Sequence, residues 1–450
     1  MSAPLLLLGW NAIAAALALA IPRLQARWHW WAPAACVAIM LGILILPLDA
    51  PWEILGQGVK LQSDWVVLGR ALVLDGANRL GLACLYFGAA ILFALGGGKS
   101  STRAHAVSAW SMLGLLSSAL MIHPFLLAAV LLELAALAGA VLMSEEGSVF
   151  HEASMRLVTV ATPAMLVVLL AGWFVETAGV TSATPDLANS AATLLLFGFA
   201  ILLAIPPFHL WLPPAVRASG GVRPVLILVV LQTTGMMLAL RFLDSYDWLR
   251  NSDQVFRGIR LVGLLATCVG AAVALAETDS RKSTVYSVLA DSGSLLLALG
   301  LPGGRGVPIA VALTALRLPG VGLATAGWGW EAGAPERASV WQARANLYGR
   351  LALAGFPLTP AFGPKLMLFM ALSAGDGLGF AVLLLSSLAI MSAALRSTRR
   401  VDLLRPEGVG TSPGPVYVAG LALGIGMSLF PTPWIQFLVR AAAGLANLVP

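Results

Sequence analysis

Charge is scarce in this chain, and so is cysteine. Of 450 residues only 11% are Asp, Glu, Lys or Arg, against 59% apolar, and the mean hydropathy is +0.88. An ordinary soluble domain carries about 25% charged residues, so a water-facing fold is excluded and a polytopic membrane protein is expected. The three cysteines, Cys36, Cys84 and Cys268, stand singly in apolar segments. That spacing builds neither a disulfide framework nor a metal site, and the thiols are assigned to packing. No HExxH, GxSxG, Cys–His cluster or glycine-rich strand-to-helix loop occurs. The chain is therefore expected to hold no cofactor, no metal and no catalytic site of its own, and an intramembrane hydrolase is disfavoured. The net charge of +6 comes mainly from arginines near the ends of apolar runs. Such cations orient spans and meet lipid headgroups; no nucleic-acid partner is expected.

What is present is a succession of apolar runs. A membrane helix needs roughly 20 such residues, and candidates lie near 4–21, 31–48, 78–96, 105–121, 123–143, 157–175, 191–216, 224–243, 258–276, 284–301, 307–325, 346–374, 377–395 and 415–434, about fourteen spans. The first is expected to be a span and not a signal peptide, since similar runs recur to the end of the chain. Loops after odd-numbered spans collect most basic residues, from Arg23 and Arg27 through Lys99, Arg223 and Arg337 to Arg399, Arg400 and Arg405. Loops after even spans hold chiefly Lys60, Arg70, Arg250, Arg257 and Arg305. The positive-inside rule then makes the odd loops cytoplasmic and places both termini on the non-cytoplasmic side. The polar stretches 49–76 and 326–346 are expected to be loops.

Two spans are too long and contain prolines: 191–216 with Pro206 and Pro207, and 346–374 with Pro357 and Pro360. Proline removes a backbone donor and clashes with the preceding turn, so each is expected to be a discontinuous helix. They lie five spans apart, which implies two inverted five-helix repeats, 105–243 and 258–395, after an N-terminal region of about three helices, 1–104, and before a C-terminal helix region, 396–450. Paired broken helices in an inverted repeat point to a transport pathway at mid-membrane. Prolines in membrane helices more often mark simple kinks; two matched sites shift the balance towards transport.

Ionisable groups at membrane depth support the same expectation. Glu133 sits near the centre of its run, Asp291 and Arg317 lie well inside theirs, Lys365 opens the second half of one broken helix and His209 follows the break in the other. A charge at a helix centre costs about 2.5–3.5 kcal/mol on insertion scales. Singly, each has a structural explanation in pairing or snorkelling. As a set they read as a hydrated charge row able to carry protons.

PPFHLWLPPA, beginning at Pro206, resembles the PFHxWLPDA signature of the antiporter-like subunits of respiratory complex I, a family shared with multi-subunit sodium/proton antiporters and membrane-bound hydrogenases. ETDSRKSTVYSVLADSG, which contains Lys282 and Asp291, is similar to the family's QTDLKRLLAYSSIAHMG. LAGFPLTPAFGPKLMLF resembles LAGLPPTAGFLGKFLLF, LVLDGANRLGL the start of the third helix, and LLELAALA the glutamate helix. The resemblance runs in order from about residue 70 to 400. It implies an all-α fold of fourteen helices, with Glu133 the glutamate of the first repeat, Lys365 the terminal lysine of the second, and Lys282 and His209 along the pathway. Arg317 falls where the family usually has a lysine and Asp291 where it has a histidine. Leu202 stands in place of another lysine, and Gln232 and Thr233 occupy the neighbourhood of a third.

The expected function is a proton-translocating membrane-arm subunit of an NADH:quinone oxidoreductase of the complex I type. Redox chemistry in other subunits would drive it, and the expected location is a bacterial inner membrane. Its partners would be other membrane subunits, the lipid bilayer and protons. The alternatives are a non-conducting scaffold subunit of such a complex, or the membrane subunit of a related cation/proton antiporter, hydrogenase or inorganic-carbon uptake system.

Overall fold

The computed structural model describes every residue except 1, 55–56, 68, 97–101, 145–151, 178–184, 220, 329–339, 399–414 and 449–450. Lys99, Arg337, Arg399, Arg400 and Arg405 lie outside the described residues. The chain opens with α1 (Ala3–Ala20), a short α2 (Pro22–Ala26) and α3 (Trp28–Ile45). The polar stretch expected to be a loop instead folds as antiparallel strands, β1 (Pro51–Ile54) with β2 (Gln57–Lys60) and β3 (Asp64–Val67) with β4 (Arg70–Val73). The second hairpin forms because the β-prone runs DWVV and RALV flank Gly69, whose φ of +73° supplies the left-handed turn.

Then come α4 (Gly76–Leu95), capped by the Asp75 carboxylate on the Asn78 amide, and α5 (Arg103–Met121), capped by the Thr102 hydroxyl on His105. The short β5 (Ile122–His123) pairs with β4. Because Pro124 follows, α6 (Ala128–Met143) begins only after a 3₁₀ turn, so Glu133 lies in its second turn and not at mid-span. α7 (Glu152–Thr177), α8 (Pro185–Leu202), α9 (Leu212–Ser219), α10 (Arg223–Ser245), α11 (Asp247–Arg250), α12 (Asp253–Ala276) and α13 (Ser280–Leu299) follow. The chain continues with α14 (Val307–Leu316), α15 (Leu318–Ala324), α16 (Val340–Ala354), α17 (Phe362–Ser373) and α18 (Gly377–Thr398). It closes with α19 (Pro415–Leu429) and α20 (Pro431–Ala441), bent by 85° at their junction.

Among the described residues, nine helices are long and apolar enough to cross a membrane. The chain is thus a helical, multi-pass integral membrane protein, and its further bent and broken helices are compatible with fourteen spans. α10 and the α14–α15 pair run through the buried centre, whereas α1, α3 and α7 expose most of their surface. The tightest seam joins α12 to α13, where Gly263 and Gly270 of one meet backbone atoms of Leu297 and Ala290 in the other. Small residues let membrane helices approach this closely.

Two residues stand elsewhere than the sequence suggested. Arg223 is buried: it heads α10 and holds His105 at 3.1 Å and the carbonyl of Leu142 at 3.1 Å. Cys36 and Cys84 are buried in the packing as expected, but Cys268 faces outward from α12.

Candidate functional site

Both long proline-containing spans are broken. In the first, α8 ends at Leu202, Ala204 adopts φ +56°, and the chain re-enters through a 3₁₀ turn, Phe208–Trp211, into α9. In the second, α16 ends at Ala354, Gly355 adopts φ +76° and Leu358 +67°, and α17 resumes at Phe362. A proline leaves the carbonyl four residues before it without its helical donor. Pro207 does this to Leu203 and Pro357 to Leu353. Both carbonyls are met by side chains: Gln232 Nε2 donates to Leu203 O at 3.0 Å, and Lys365 Nζ donates to Leu353 O. Pro360 likewise orphans Phe356 O, which the Thr359 hydroxyl meets at 2.6 Å. Pro206 stands beside Pro207 in the first break.

Those two side chains belong to one buried cluster. Lys365 Nζ lies 2.7 Å from Asp291 Oδ1, and Arg317 Nη1 lies 3.8 Å from Asp291 Oδ2. Asp291, Arg317 and Lys365 are only 2%, 1% and 2% exposed. Arg317 also donates to Ser292 Oγ at 2.7 Å and to Gln232 Oε1 at 3.3 Å, and Ser292 donates to Gln232 Oε1 at 2.6 Å. Pro319 explains why Arg317 stands where it does. It interrupts the helix between α14 and α15, so the guanidinium leaves the axis at a break. A unit joined by ion pairs at Asp291 and hydrogen bonds elsewhere therefore runs from the break in α16–α17 through Lys365, Asp291, Arg317, Ser292 and Gln232 to the break in α8–α9.

The formal charge of this unit is two cations against one carboxylate. A buried charge is tolerated when paired, and a third, unbalanced one is costly. Release of one proton makes the unit neutral. Arginine keeps its proton in proteins. Lysine is the cation that can both hold and surrender a proton when buried.

The other expected site residues lie apart from this unit. Glu133 is half-buried on α6, accepts from Thr162 Oγ1 at 2.7 Å, and has its Oε2 buried without a partner. The small cavity beside it is lined by Leu202 with Ala129, Leu132, Ala161, Ala164 and Met165. Leu202 thus faces Glu133 as an apolar wall. His209, on the 3₁₀ turn, stands edge-on to Tyr286 with ring centroids 5.6 Å apart, and its Nδ1 is buried without a partner. Lys282 is on the first turn of α13, nine residues before Asp291, or about 13 Å along the axis. Thr233 is buried on α10 next to Gln232, with its hydroxyl unpartnered.

Several charged groups were not singled out from the sequence. Arg350, one turn before the end of α16, is buried and donates to Thr284 Oγ1 at 2.7 Å. Arg241 pairs with Asp75 at 3.5 Å, touches His123 at 3.1 Å and stacks on Phe125. Arg260 pairs with Asp376. The available signal was an arginine flanked by apolar residues, as in YGRLALA and LALRFL. Among the described residues no cluster of metal-ligating groups occurs.

Broken helices facing one another across a buried charge cluster define an architectural class, that of helical membrane proteins with interrupted spans. Within it, residues 176–316 match the family described as the NADH:quinone oxidoreductase/Mrp antiporter transmembrane region. The chain is 31% identical over 312 residues to NADH-quinone oxidoreductase subunit N of Salinispora arenicola, a match covering 60% of this chain and 58% of that protein. It is 30% identical over 115 residues to the chloroplast NAD(P)H-quinone oxidoreductase subunit 5 of Phaseolus vulgaris, covering 26% of this chain and 15% of that one. The chain thus spans little more than half the length of the first of these relatives and far less of the second. Among solved structures, a chain of the archaeal membrane-bound sulfane sulfur reductase superposes with a TM-score of 0.76 at 17% identity, covering 99% of this chain and 98% of that one. A chain of Thermus thermophilus respiratory complex I gives 0.72 at 20% identity, covering 99% and 100%. A chain of the Mrp complex from a Dietzia species gives 0.71 at 20%, covering 98% and 52%. These likenesses show the fold, and over the matched stretches the chain is similar to the antiporter-like membrane subunits of complex I.

Proposed function

We propose that the chain is a proton-translocating membrane-arm subunit of a complex I-like NADH:quinone oxidoreductase, driven by redox chemistry in other subunits. Protons move through the unit of Asp291, Arg317 and Lys365. Lys365 is the exchanging group, Asp291 its counter-charge and Arg317 a fixed cation that holds Asp291 in place. The observation that carries this reading is the enclosure of Asp291, Arg317 and Lys365, two cations on one carboxylate, between two broken helices. In a reconstituted complex, Lys365→Ala lowers proton uptake coupled to electron transfer severalfold while the complex stays assembled. Wild-type pumping in both Lys365→Ala and Glu133→Ala would sink the proposal. The protein sits in a bacterial inner membrane with both termini on the non-cytoplasmic side, alongside other membrane subunits.

A second reading, a non-conducting scaffold, is favoured by one observation: Glu133 faces Leu202, and among the described residues no cation lines that cavity. Leu202→Lys separates the two. A gain in proton conduction marks the first half as a decayed channel, and an assembled complex with unchanged pumping marks the altered row as the working one. A membrane subunit of a related antiporter, hydrogenase or carbon-uptake complex would keep the Lys365 dependence without NADH.

A further inference from the structure

An apolar groove, lined by none of the charge-cluster residues, lies at the N-terminal end of α1. There α1 packs on α5, α3 packs on α4, and the two outer helices leave a gap between them. The gap is a groove of about 200 Å³ walled by Ala3, Leu6, Leu7 and Trp10 of α1 and by Ala38, Ile39, Gly42 and Ile43 of α3. Leu61 and Leu74, next to the strands, close its membrane-surface end. On α1 the lining runs from residue 3 to residue 10, about 10 Å of helix, and on α3 from 38 to 46, about 12 Å. Half of a hydrocarbon core is about 15 Å, so the groove crosses most of one leaflet and then stops.

Every lining side chain but the indole of Trp10 is wholly apolar. An irregular peptide segment laid there would strand its backbone polar groups; an acyl chain has none. The mouth carries a cation. Arg79, on the first turn of α4, donates from Nη2 to the carbonyl of Leu46 at 3.0 Å, and Leu46 is itself a lining residue. Among the described residues Arg79 forms no ion pair. The nearest acid on its helix, Asp75, is taken up by Arg241 and by the cap of α4. A guanidinium held at the membrane surface with free donors suits a phosphate ester.

We infer that this groove binds one anionic phospholipid of the leaflet on the N-terminal side, its acyl chain between α1 and α3 and its phosphate on Arg79. The inference does not depend on proton translocation.

The test is native mass spectrometry of the full chain purified from membranes and exchanged into defined lipid. Phosphatidylglycerol, phosphatidylcholine and an isoprenoid quinone are offered in turn. One phosphatidylglycerol per chain is expected to survive delipidation, with phosphatidylcholine held more weakly. Arg79→Gln keeps a donor for Leu46 O and drops the charge; it should weaken phosphatidylglycerol retention about fivefold. Ala38→Phe fills the groove and should abolish retention while Arg79 stays in place. Thermal unfolding of each variant reports that it is folded. Retention of the quinone instead, equal retention by Arg79→Gln or Ala38→Phe, or no lipid retained at all would each overturn the inference.

Discussion

Asp291 is the residue on which the buried cluster turns, because it is the one anion between two cations. Asp291→Asn leaves Arg317 and Lys365 facing each other without a counter-charge. The expected loss is about 3–5 kcal/mol, as for other buried pairs broken from one side. Lys365→Met leaves a neutral Asp291–Arg317 pair and strands only Leu353 O, costing about 1–3 kcal/mol. Thermal unfolding in lipid nanodiscs should therefore rank Asp291→Asn as the more damaging, although both variants lose proton flux; the reverse order would show that Lys365 is neutral at rest. Gln232 carries a smaller but distinct load. Gln232→Leu frees Leu203 O and removes the acceptor of Ser292 and Arg317, with an expected cost of about 1–3 kcal/mol. Hydrogen exchange should rise at the α8–α9 break more than elsewhere.

The elements that matter most are those that stop being regular. Each broken helix is a proline-enforced interruption whose freed carbonyl is taken by a side chain, Gln232 of α10 at the first and Lys365 of the helix's own second half at the other, and this ties the breaks to the charges. Gly355 shows how little slack remains. Its φ is +76°, and a Cβ there would stand 2.6 Å from Lys365 Cδ. Gly355→Ala is expected to cost about 1–2 kcal/mol from backbone strain alone and also to push the lysine stem aside, lowering flux. Gly426→Ala, on α19 with nothing within 4 Å of the new methyl, is the control and should leave both unchanged. The α12–α13 seam works in the same sense. Gly293, two residues after Asp291, would set a Cβ 2.4 Å from Thr267. The carboxylate therefore rides on a helix fixed against its neighbour.

At the scale of the whole molecule, the described helices expose many large apolar side chains, while Asp291, Arg317 and Lys365 are buried. A membrane-permeant maleimide should modify Cys268 on the outer face of α12 and spare the buried Cys36 and Cys84. Epitope tags at the two ends should be cleaved together by protease added from the non-cytoplasmic side. Protection of one end alone would mean an odd number of spans.

The sequence by itself determined the helical membrane character, both helix breaks and the identity of the charged residues. Composition and proline position act locally, over one helical turn or one bilayer thickness, and can be read without knowing what packs on what. It also marked Leu202, and the structure sets that side chain against Glu133 as an apolar wall. Only the tertiary structure decided which of the charges meet. Glu133 and His209 carry the same local signature as Asp291, Arg317 and Lys365, yet only the last three converge. The tertiary fold likewise gave Gln232 its place as the bridge between the two breaks, and paired β1 with β2 and β3 with β4 in a stretch read as loop. Convergence depends on helix rotation and on the close approach permitted by glycines scattered along the chain, and neither is a property of a single segment.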